Sequence, residues 1–361
     1  MAGEVGERWR WALAGLLALA CLLLALTGVL VLRAAMAHYP YQDLVTRQLG
    51  WAAVGLVVAS LVTLSSRRTL GLSAWPLALF AFLGLNLARV GFGSQGWLRP
   101  ADVLCVLTIP AFARFAARRE SPARNSSAWL AAFLVGVVGV RLGALAGPGA
   151  LLVWFGVAFS ALSLVRWSLT QRVVFSAAGV LGVLTLVALL RPYQVARLRY
   201  WLFPGDDPLG AGWRFLELRR LLAQGGLWGS SEPWPVRHGV TAFEAPYVFV
   251  GHQAGWLGLA GVVLLNVVVV AVATWVGLRA LSTESRAIGR GVAAFWGVHL
   301  LLAAGGNLGL VPEVANTPPL LGYGGSAVVA ALLSLGLLIH VLRSREETPV
   351  QSSDEHRSSL L

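Results

Sequence analysis

Long apolar runs recur along the whole chain, and they constrain its fold more than any other feature of the sequence. A helix needs about 20 mostly apolar residues to cross the roughly 30 Å hydrocarbon core of a bilayer. Ten segments are candidates: 11–32, 49–65, 70–88, 101–117, 128–145, 149–165, 172–190, 250–276, 291–310 and 322–342. Hydrophobic residues make up 57% of the 361 positions and charged residues only 12%, which is more apolar surface than a soluble domain can bury. The sequence therefore predicts an all-α membrane protein with about ten transmembrane helices.

The first of these runs has a second interpretation, as a secretory signal peptide. Ala35-Met36-Ala37 would supply small residues at a cleavage site. The apolar run at 11–32 is longer, however, than the usual apolar core of a signal peptide, which has about 7 to 15 residues. We therefore favour an uncleaved first span.

The arginines set the predicted orientation. All 28 basic residues are arginine, and the absence of lysine excludes Schiff-base catalysis and the lysine of a P-loop. They lie in short clusters between apolar runs, which is typical of a membrane protein and not of a nucleic-acid-binding face. In the ten-span arrangement, the two termini and the even-numbered loops hold fifteen arginines, against four in the short odd-numbered loops. The positive-inside rule then predicts that both termini are cytoplasmic.

This topology divides the chain into five parts. They are a cytoplasmic N-terminus at 1–10, spans one to seven within 11–190, a large extracytoplasmic loop at 191–245, spans eight to ten within 246–343, and a polar cytoplasmic tail at 344–361 that is predicted to be disordered. The long loop most resembles a functional domain, because it combines tryptophans with arginines. These residues are Trp201, Trp213, Trp228, Trp234, Arg191, Arg197, Arg199, Arg214, Arg219, Arg220 and Arg237. Together they either anchor the loop in the lipid headgroup layer or form an outward-facing surface that binds phosphate.

Glu244 is the candidate proton acceptor at the end of this loop. It precedes a run of 33 residues from Pro246 to Leu278 with no strong helix breaker, which as one helix would be about 50 Å long and would overshoot the bilayer. The first turns of this run must then project from the membrane or fold as a re-entrant piece, which would bring Glu244 and His252 to the outer mouth. A carboxylate there has the chemistry of a general base, and the alternative is that Glu244 caps the helix.

Three ionisable residues inside predicted spans are conspicuous: Asp102, Arg114 and Arg141. Charged side chains in a membrane are costly and usually face a partner or a wet cavity. Asp102 begins its span, where it either favours the helix N-terminus or belongs to a site. Arg114 lies near the cytoplasmic end of the same span and is expected to reach the interface. Arg141 lies toward the outer half of the fifth span, which points to a buried acid or an anionic ligand.

Six sequence blocks follow one another between residues 40 and 343. They are Arg47-Gln48-Leu49-Gly50-Trp51, Arg191-Pro192-Tyr193-Gln194-Val195-Ala196-Arg197, Asp207-Pro208-Leu209-Gly210-Ala211-Gly212-Trp213, Gly225-Gly226-Leu227-Trp228-Gly229, Gly251-His252-Gln253-Ala254-Gly255-Trp256-Leu257-Gly258, and Gly309-Leu310-Val311-Pro312 with Pro319 and Gly322-Tyr323-Gly324-Gly325-Ser326. In this order they resemble the RQLxW, [KR]PYQxxR, DPLGxGY, GGLxG, GEELGxxG and GLLPxxxxxxPxxSYGGS motifs of the SEDS family, which includes FtsW, RodA and SpoVE. The ten spans and cytoplasmic termini of that family agree with the topology predicted above.

The resemblance implies a peptidoglycan glycosyltransferase that polymerises lipid II, a lipid-linked disaccharide peptide, on the outer face of the bacterial cytoplasmic membrane during division or elongation. It implies a class B penicillin-binding protein and other division or elongation proteins as partners, and no nucleic acid. The family's catalytic carboxylate is an Asp in an HTDFIFAVIGEELG-like stretch, and counting back from Gly251 places it at Glu244. Arg191 and Arg197 become predicted pyrophosphate ligands, and a divalent cation, Mg²⁺ or Mn²⁺, is expected to assist them.

The sequence departs from the family pattern at several positions. The QPSE motif of the fourth span reads Arg99-Pro100-Ala101-Asp102, which keeps an acid, but Cys105 stands in place of the lysine expected shortly afterwards. Arg99 or Arg141 would then supply the missing positive charge, and both are predicted substrate-binding residues together with Asp102. The Asp of the QPDxG motif is absent, and Gln253 replaces the second acid of GEELG.

Two other functions are open from the sequence. The lost acids and lysine would suit a non-catalytic scaffold of the division or elongation machinery, which binds a penicillin-binding protein and polymerises nothing. A transporter of lipid-linked precursor would need a charged central cavity, for which Arg141 is the one deep candidate.

Overall fold

The structure is a computed structural model that describes residues 2–36, 43–66, 69–70, 100–118, 126–165, 167–188, 192–234, 242–314 and 316–344. Within these residues the chain forms eleven α-helices, one 3-10 turn at Pro204–Asp206 and no β-strand. The helices are α1 (Ala2–Ala35), α2 (Leu44–Leu64), α3 (Pro100–Ala117), α4 (Ser126–Ala146), α5 (Pro148–Leu162), α6 (Leu169–Ala188), α7 (Pro192–Leu202), α8 (Trp213–Gly225), α9 (Pro246–Arg279), α10 (Thr283–Asn307) and α11 (Gly325–Arg343). The predicted all-α class is confirmed.

Nine of the ten predicted spans coincide with helices, namely α1 to α6 and α9 to α11. The predicted span at 70–88 lies outside the described residues apart from Leu70, and so does the tail after Ser344. Over the described part of the chain, five helical segments are long and apolar enough to cross a bilayer: Trp9–Ala35, Leu44–Leu64, Pro246–Arg279, Thr283–Asn307 and Gly325–Arg343. The ten-span topology and the orientation of the loops stay predictions.

Helix α10 lies at the centre of the described bundle, because it packs against α3, α5 and α9. Its inner face is apolar and aromatic, and Val292, Phe295 and Trp296 are buried. The indole Nε1–H of Trp296 donates to Ser334 Oγ on α11 at 2.9 Å, which satisfies its polar atom inside the core. Helix α11 in turn packs along α2. Helix α10 is therefore held in place by packing on α3, α5 and α9 and by a hydrogen bond to α11.

Helix α9 is interrupted near its start, in the turns that the sequence predicts to project from the membrane or to be re-entrant. Gly255 has φ 68° and ψ −172°, a conformation that glycine adopts without the steric penalty of a Cβ. The Trp256 and Leu257 N–H groups lose their helical acceptors at this break and donate instead to the carbonyls of Gly226 (2.9 Å) and Leu227 (3.4 Å). The segment after the break, Trp256–Arg279, is about 36 Å long at 1.5 Å per residue and so matches one bilayer crossing.

Candidate functional site

The described part of the long loop is folded, and Asp207 fixes the turn between α7 and α8. The Asp207 carboxylate accepts hydrogen bonds from the N–H of Gly210 at 3.0 Å and of Ala211 at 2.9 Å. Just before it, Arg199 forms an ion pair with Asp206 at 3.2 Å. These contacts set the direction of α8, which carries Arg214 in its first turn.

Two of the four loop tryptophans bind other parts of the protein. Trp201 donates its Nε1–H to Gly309 O at 2.9 Å, across to the segment between α10 and α11. Trp234 is buried against the rings of Phe249 and His252, with centroid distances of 5.5 and 5.7 Å. Trp213 is half-buried, and Trp228 is 79% exposed. Anchoring in the lipid headgroups therefore remains a prediction for Trp228, whereas Trp201 and Trp234 stabilise the loop itself.

The glycine-rich turn after α8 docks into the break of α9. Besides the bonds of Gly226 and Leu227 described above, the Ser230 N–H donates to His252 O at 2.7 Å. A Cβ on Gly229 would overlap the Gln253 carbonyl, so the two segments approach as closely as glycine permits. Two of the motif blocks that the sequence places apart are thus in contact. They fix the first turns of α9 and with them Glu244, which lies two residues before this helix.

Glu244 lies in a cluster of three charges with Arg214 and Glu313. Arg214 binds Glu313 through two parallel bonds, Nε to Oε2 at 3.0 Å and Nη2 to Oε1 at 2.9 Å. Its Nη1 is 3.4 Å from Glu244 Oε2. The bidentate geometry is the stronger kind of arginine–carboxylate contact, and the single bond to Glu244 is at the long end of the range. Glu313 therefore holds the guanidinium, which is then shared with Glu244.

The three side chains of this cluster differ in their access to solvent. Glu313 is 12% exposed, Arg214 is 26% exposed and Glu244 is 43% exposed. Burial by itself would lower the pKa of Arg214, but the bonds and charges of Glu313 and Glu244 outweigh it and raise the pKa above its usual value. The guanidinium is thus a permanent cation beside the most accessible carboxylate. Next to that carboxylate, Phe243 packs on Tyr323 with 5.9 Å between ring centroids.

The capping alternative for Glu244 has little support in the geometry. Helix α9 begins at Pro246, its N-cap residue is Ala245, and no side chain makes the capping bond. The Glu244 carboxylate contacts Arg214 on a different helix. A partly exposed carboxylate that is held by one cation can accept a proton from a bound hydroxyl, which is the chemistry of a general base.

Apart from Arg214, which belongs to the Glu244 cluster, and Arg219, which is exposed, the predicted phosphate ligands divide into three groups. Arg199 and Arg220 are engaged with acids, Arg199 with Asp206 and Arg220 with Glu217 at 3.0 Å. Arg197 is half-buried and has no ion pair within the described part of the loop. Arg191, Arg237 and Arg99 lie outside the described residues. Of the two predicted pyrophosphate ligands, Arg191 and Arg197, Arg197 is therefore the one that the structure describes, and its guanidinium is available to bind a pyrophosphate.

Asp102 and Arg141 do not join the Glu244 cluster. Asp102 is buried in the first turn of α3, where its Oδ1 is 3.5 Å from His299 Nε2 on α10. Arg141 occupies an exposed position of α4. The described partner of Asp102 is thus a histidine.

Sequence reasoning missed Glu313 and His299, and it did not separate Arg214 from the other loop arginines. Glu313 is the one acid in the segment 308–324, and His299 is the one ionisable residue in the second half of α10, so each had a weak signal. Within the described residues, no three His, Cys, Asp or Glu side chains come together as a metal site would require. The site that the structure offers is an acid–arginine cluster.

The fold and site define a class of protein: an all-α membrane protein in which a long loop packs into a broken helix and places a carboxylate and an arginine there. The chain belongs to the FtsW/RodA/SpoVE family, described as cell cycle proteins, whose sequence pattern it matches over residues 7–347. It is thus a bacterial integral membrane protein.

Relatives and solved structures agree with this membership. The chain is 25% identical over 315 residues to a probable peptidoglycan glycosyltransferase FtsW of Thiomicrospira cyclica, which covers 84% of this chain and 76% of the relative. It is 24% identical over 324 residues to the peptidoglycan glycosyltransferase MrdB of Escherichia coli, with 83% and 86% covered. A chain from a peptidoglycan synthase complex that coordinates polymerization and crosslinking matches with a TM-score of 0.73 and 26% identity, covering 94% of this chain and 98% of that one. The rod shape determining protein RodA of Thermus thermophilus matches with a TM-score of 0.64, 24% identity and the same coverage.

Proposed function

We propose that this chain is a peptidoglycan glycosyltransferase that polymerises lipid II into glycan strands at the outer face of the bacterial cytoplasmic membrane, with both termini in the cytoplasm. Its family and the names of its relatives support the reaction class. The observation that carries the proposal is the partly exposed Glu244 carboxylate held beside the Arg214 guanidinium. Polymerisation needs a base for an incoming hydroxyl and cations for a departing pyrophosphate, and this loop holds both kinds of group.

Glu244 is the proposed general base. As the acceptor sugar hydroxyl attacks the anomeric carbon of the growing chain, its proton passes to the Glu244 carboxylate and a new C–O bond forms. The bond between that carbon and the phosphate oxygen breaks, and undecaprenyl pyrophosphate leaves with the electron pair. Nearby cations stabilise the extra negative charge on the leaving group. Such electrostatic stabilisation of developing charge is usually the largest single contribution to catalysis.

Glu313 sets how strongly Arg214 acts on the base. With two of its nitrogens bound to Glu313, Arg214 reaches Glu244 through one long bond only. Arg214 therefore orients the base without binding its carboxylate through two bonds. Its carboxylate keeps the solvent access that a substrate hydroxyl requires.

The remaining site residues are proposals on the substrate side. Arg191 and Arg197 bind the pyrophosphate, and Arg99 and Arg141 are further candidate cations for the substrate. Arg197 is half-buried and has no ion pair in the described part of the loop, which leaves its guanidinium available to a phosphate. Guanidinium groups suit this task since they bind phosphate oxygens in pairs.

A divalent cation, Mg²⁺ or Mn²⁺, is proposed as an assistant that arrives with the pyrophosphate. The described residues do not fit a resident metal site, because no three suitable side chains converge. Glu244 and Glu313 already face a guanidinium. Titration of activity with a chelator tests the requirement for the cation.

The proposed partner is a class B penicillin-binding protein that crosslinks the strands. A chain very similar in fold comes from a synthase complex that coordinates polymerization with crosslinking. The two activities have to be coupled in space, because one enzyme makes the strand that the other joins. Co-purification of the full-length chain with its cognate penicillin-binding protein tests this proposal.

Gel-resolved glycan synthesis from purified lipid II tests the function. The full chain should give polymer, alone or with its partner, and Glu244→Gln should lower the rate by about 10²- to 10⁴-fold, because it removes the base but keeps the size of the side chain. Glu232→Gln is a matched control, since Glu232 is an exposed acid of the same loop with no contact to Arg214. An active Glu244→Gln protein would refute the base assignment. No polymer from a stable wild-type complex would favour a scaffold, and lipid flipping in liposomes would favour a transporter.

A further inference from the structure

A buried acid–imidazole pair lies where α3 meets α10. Asp102 and His299 face each other with 3.5 Å between Asp102 Oδ1 and His299 Nε2. The imidazole side chain is completely inaccessible, and the carboxylate is 8% exposed. Ionisable groups that are buried in this way destabilise a fold unless they are paired. The burial of these two groups therefore calls for a structural or functional explanation.

The second ring nitrogen shows where a proton must lie. His299 Nδ1 is 2.8 Å from Phe295 O, one turn earlier in α10. A carbonyl oxygen can only accept, so Nδ1 carries a hydrogen and donates it. A neutral ring would then turn the bare Nε2 lone pair toward the Asp102 carboxylate, and two buried acceptors repel each other. Nε2 makes no hydrogen bond in this arrangement, so its 3.5 Å approach to Asp102 Oδ1 is a close ion-pair contact and not a hydrogen bond.

The backbone of His299 is tied to the segment that carries Glu313. Asn316 Nδ2 donates to His299 O at 3.2 Å. Nearer the end of α10, the Leu310 N–H donates to Gly305 O at 2.8 Å. The segment after α10 therefore folds back over the last turns of that helix. Of the two carbonyl acceptors, His299 O lies deeper in α10 than Gly305 O.

A continuous set of contacts runs from the buried pair to the proposed base. Glu313 stands three residues before Asn316 in the same segment and binds Arg214 through two bonds. Arg214 in turn contacts Glu244. A shift of α10 against α3 would move the segment, and with it the arginine that orients the base.

We propose that Asp102 and His299 form a buried positioning pair that holds the segment carrying Glu313 and thereby aligns Glu244. The expected effect of this pair on the polymerisation rate rests on the proposed function. The pair gives Asp102 a role inside the protein, in place of the direct substrate contact predicted from the sequence. His299 becomes a positioning residue on a helix that contributes no atom to the Glu244 cluster.

Two substitutions of similar size at Asp102 test the pair. Asp102→Leu leaves Nε2 of His299 without a partner, and kcat for lipid II polymerisation should fall about 10- to 100-fold while KM changes less than about twofold. Asp102→Asn brings its own N–H to the bare Nε2, so its kcat should stay within about threefold of wild type. Equal loss in both variants would show that the carboxylate itself is required, and no loss in Asp102→Leu would show that the pair positions nothing. A rise in KM as the main effect would point to substrate contact. Each of these three results overturns the proposal.

Asn316→Ala tests the connection on a residue outside the helices. It should reproduce the kcat loss with an unchanged KM. The double variant Asp102→Leu/Asn316→Ala should be no slower than the poorer single variant, because both changes interrupt one set of contacts. Additive losses, or full activity of Asn316→Ala, would refute the route through this segment even if Asp102→Leu did not fold.

Hydrogen exchange of the Leu310 and Val311 amides gives a readout that needs no activity. Both amides donate to Gly305 O in wild type. Asp102→Leu should speed their exchange about tenfold or more, and Asp102→Asn should not. If the wild type makes no polymer, the proposed function fails but this exchange pattern still supports the pair. Identical exchange in all three proteins overturns the pair whatever the activity.

Discussion

Two acid–base pairings in this chain differ in the water that reaches them. Arg214 is shared between two glutamates, and Glu244 keeps 43% of its side chain exposed. Asp102 and His299 are enclosed between two helices. Exposure lets Glu244 meet a sugar hydroxyl and accept its proton, whereas burial keeps the Asp102–His299 pair away from any substrate. Solvent access, and not the presence of an acid beside a base, therefore separates the group that reacts from the group that supports it.

Removing the cation of the exposed cluster should have the largest effect. Arg214→Leu leaves Glu244 and Glu313 as two carboxylates with no charge between them, so both lose their orientation. We expect polymerisation from lipid II to fall about 100-fold in a glycan gel assay. Arg220→Leu is the matched control on the same helix, because it likewise removes an arginine from a buried acid, Glu217, in a pair that does not include Glu244. Equal activity of the two variants would show that Arg214 does not orient the base.

Closing the break in α9 should have the next largest effect. Gly255→Ala puts a Cβ at φ 68° and against the Leu227 carbonyl, so the turn after α8 must move away. We expect the protein to lose about 1–3 kcal/mol of stability, measured by thermal unfolding in detergent, together with most of its activity. Gly261→Ala, in the same helix with open space around it, should leave both unchanged. A stable and active Gly255→Ala protein would mean that the break does not place Glu244.

A smaller effect is expected at Glu313, which touches the base only through Arg214. Glu313→Gln weakens the bidentate contact with Arg214. The guanidinium can then turn toward Glu244 and bind its carboxylate more fully. The kcat of polymerisation should fall about tenfold with little change in KM. A fall as large as that of Glu244→Gln would instead indicate that Glu313 is the base.

The fold was largely predictable because membrane helices follow from local composition. Runs of about 20 apolar residues identify the helices without knowledge of their neighbours. The break at Gly255 was not predictable in this way, because glycines are common in these runs and only the docking of the turn after α8 makes this one different.

The site was predictable one residue at a time but not as contacts. Glu244 was found from its position before α9 and from the family resemblance. Its connection to Glu313 was not, because Arg214 and Glu313 are 99 residues apart and lie in segments with different motifs. The partner of Asp102 was sought among arginines, because a lysine was missing. Packing of α3 on α10 instead brings His299 to Asp102.

The smallest predicted effect separates a free cation from an engaged one within the same helix. Arg199 is bound to Asp206 in an exposed pair, whereas Arg197 has no ion pair in the described part of the loop. If Arg197 binds the pyrophosphate of lipid II, Arg197→Gln should raise KM about threefold and leave kcat nearly unchanged, because a half-exposed ionic contact contributes little more than about 1 kcal/mol. Arg199→Gln should leave both constants unchanged, since its guanidinium already faces an acid. The contrast in KM between these neighbours measures what an acid partner takes away from a phosphate ligand. Equal KM values would place the pyrophosphate elsewhere in the loop.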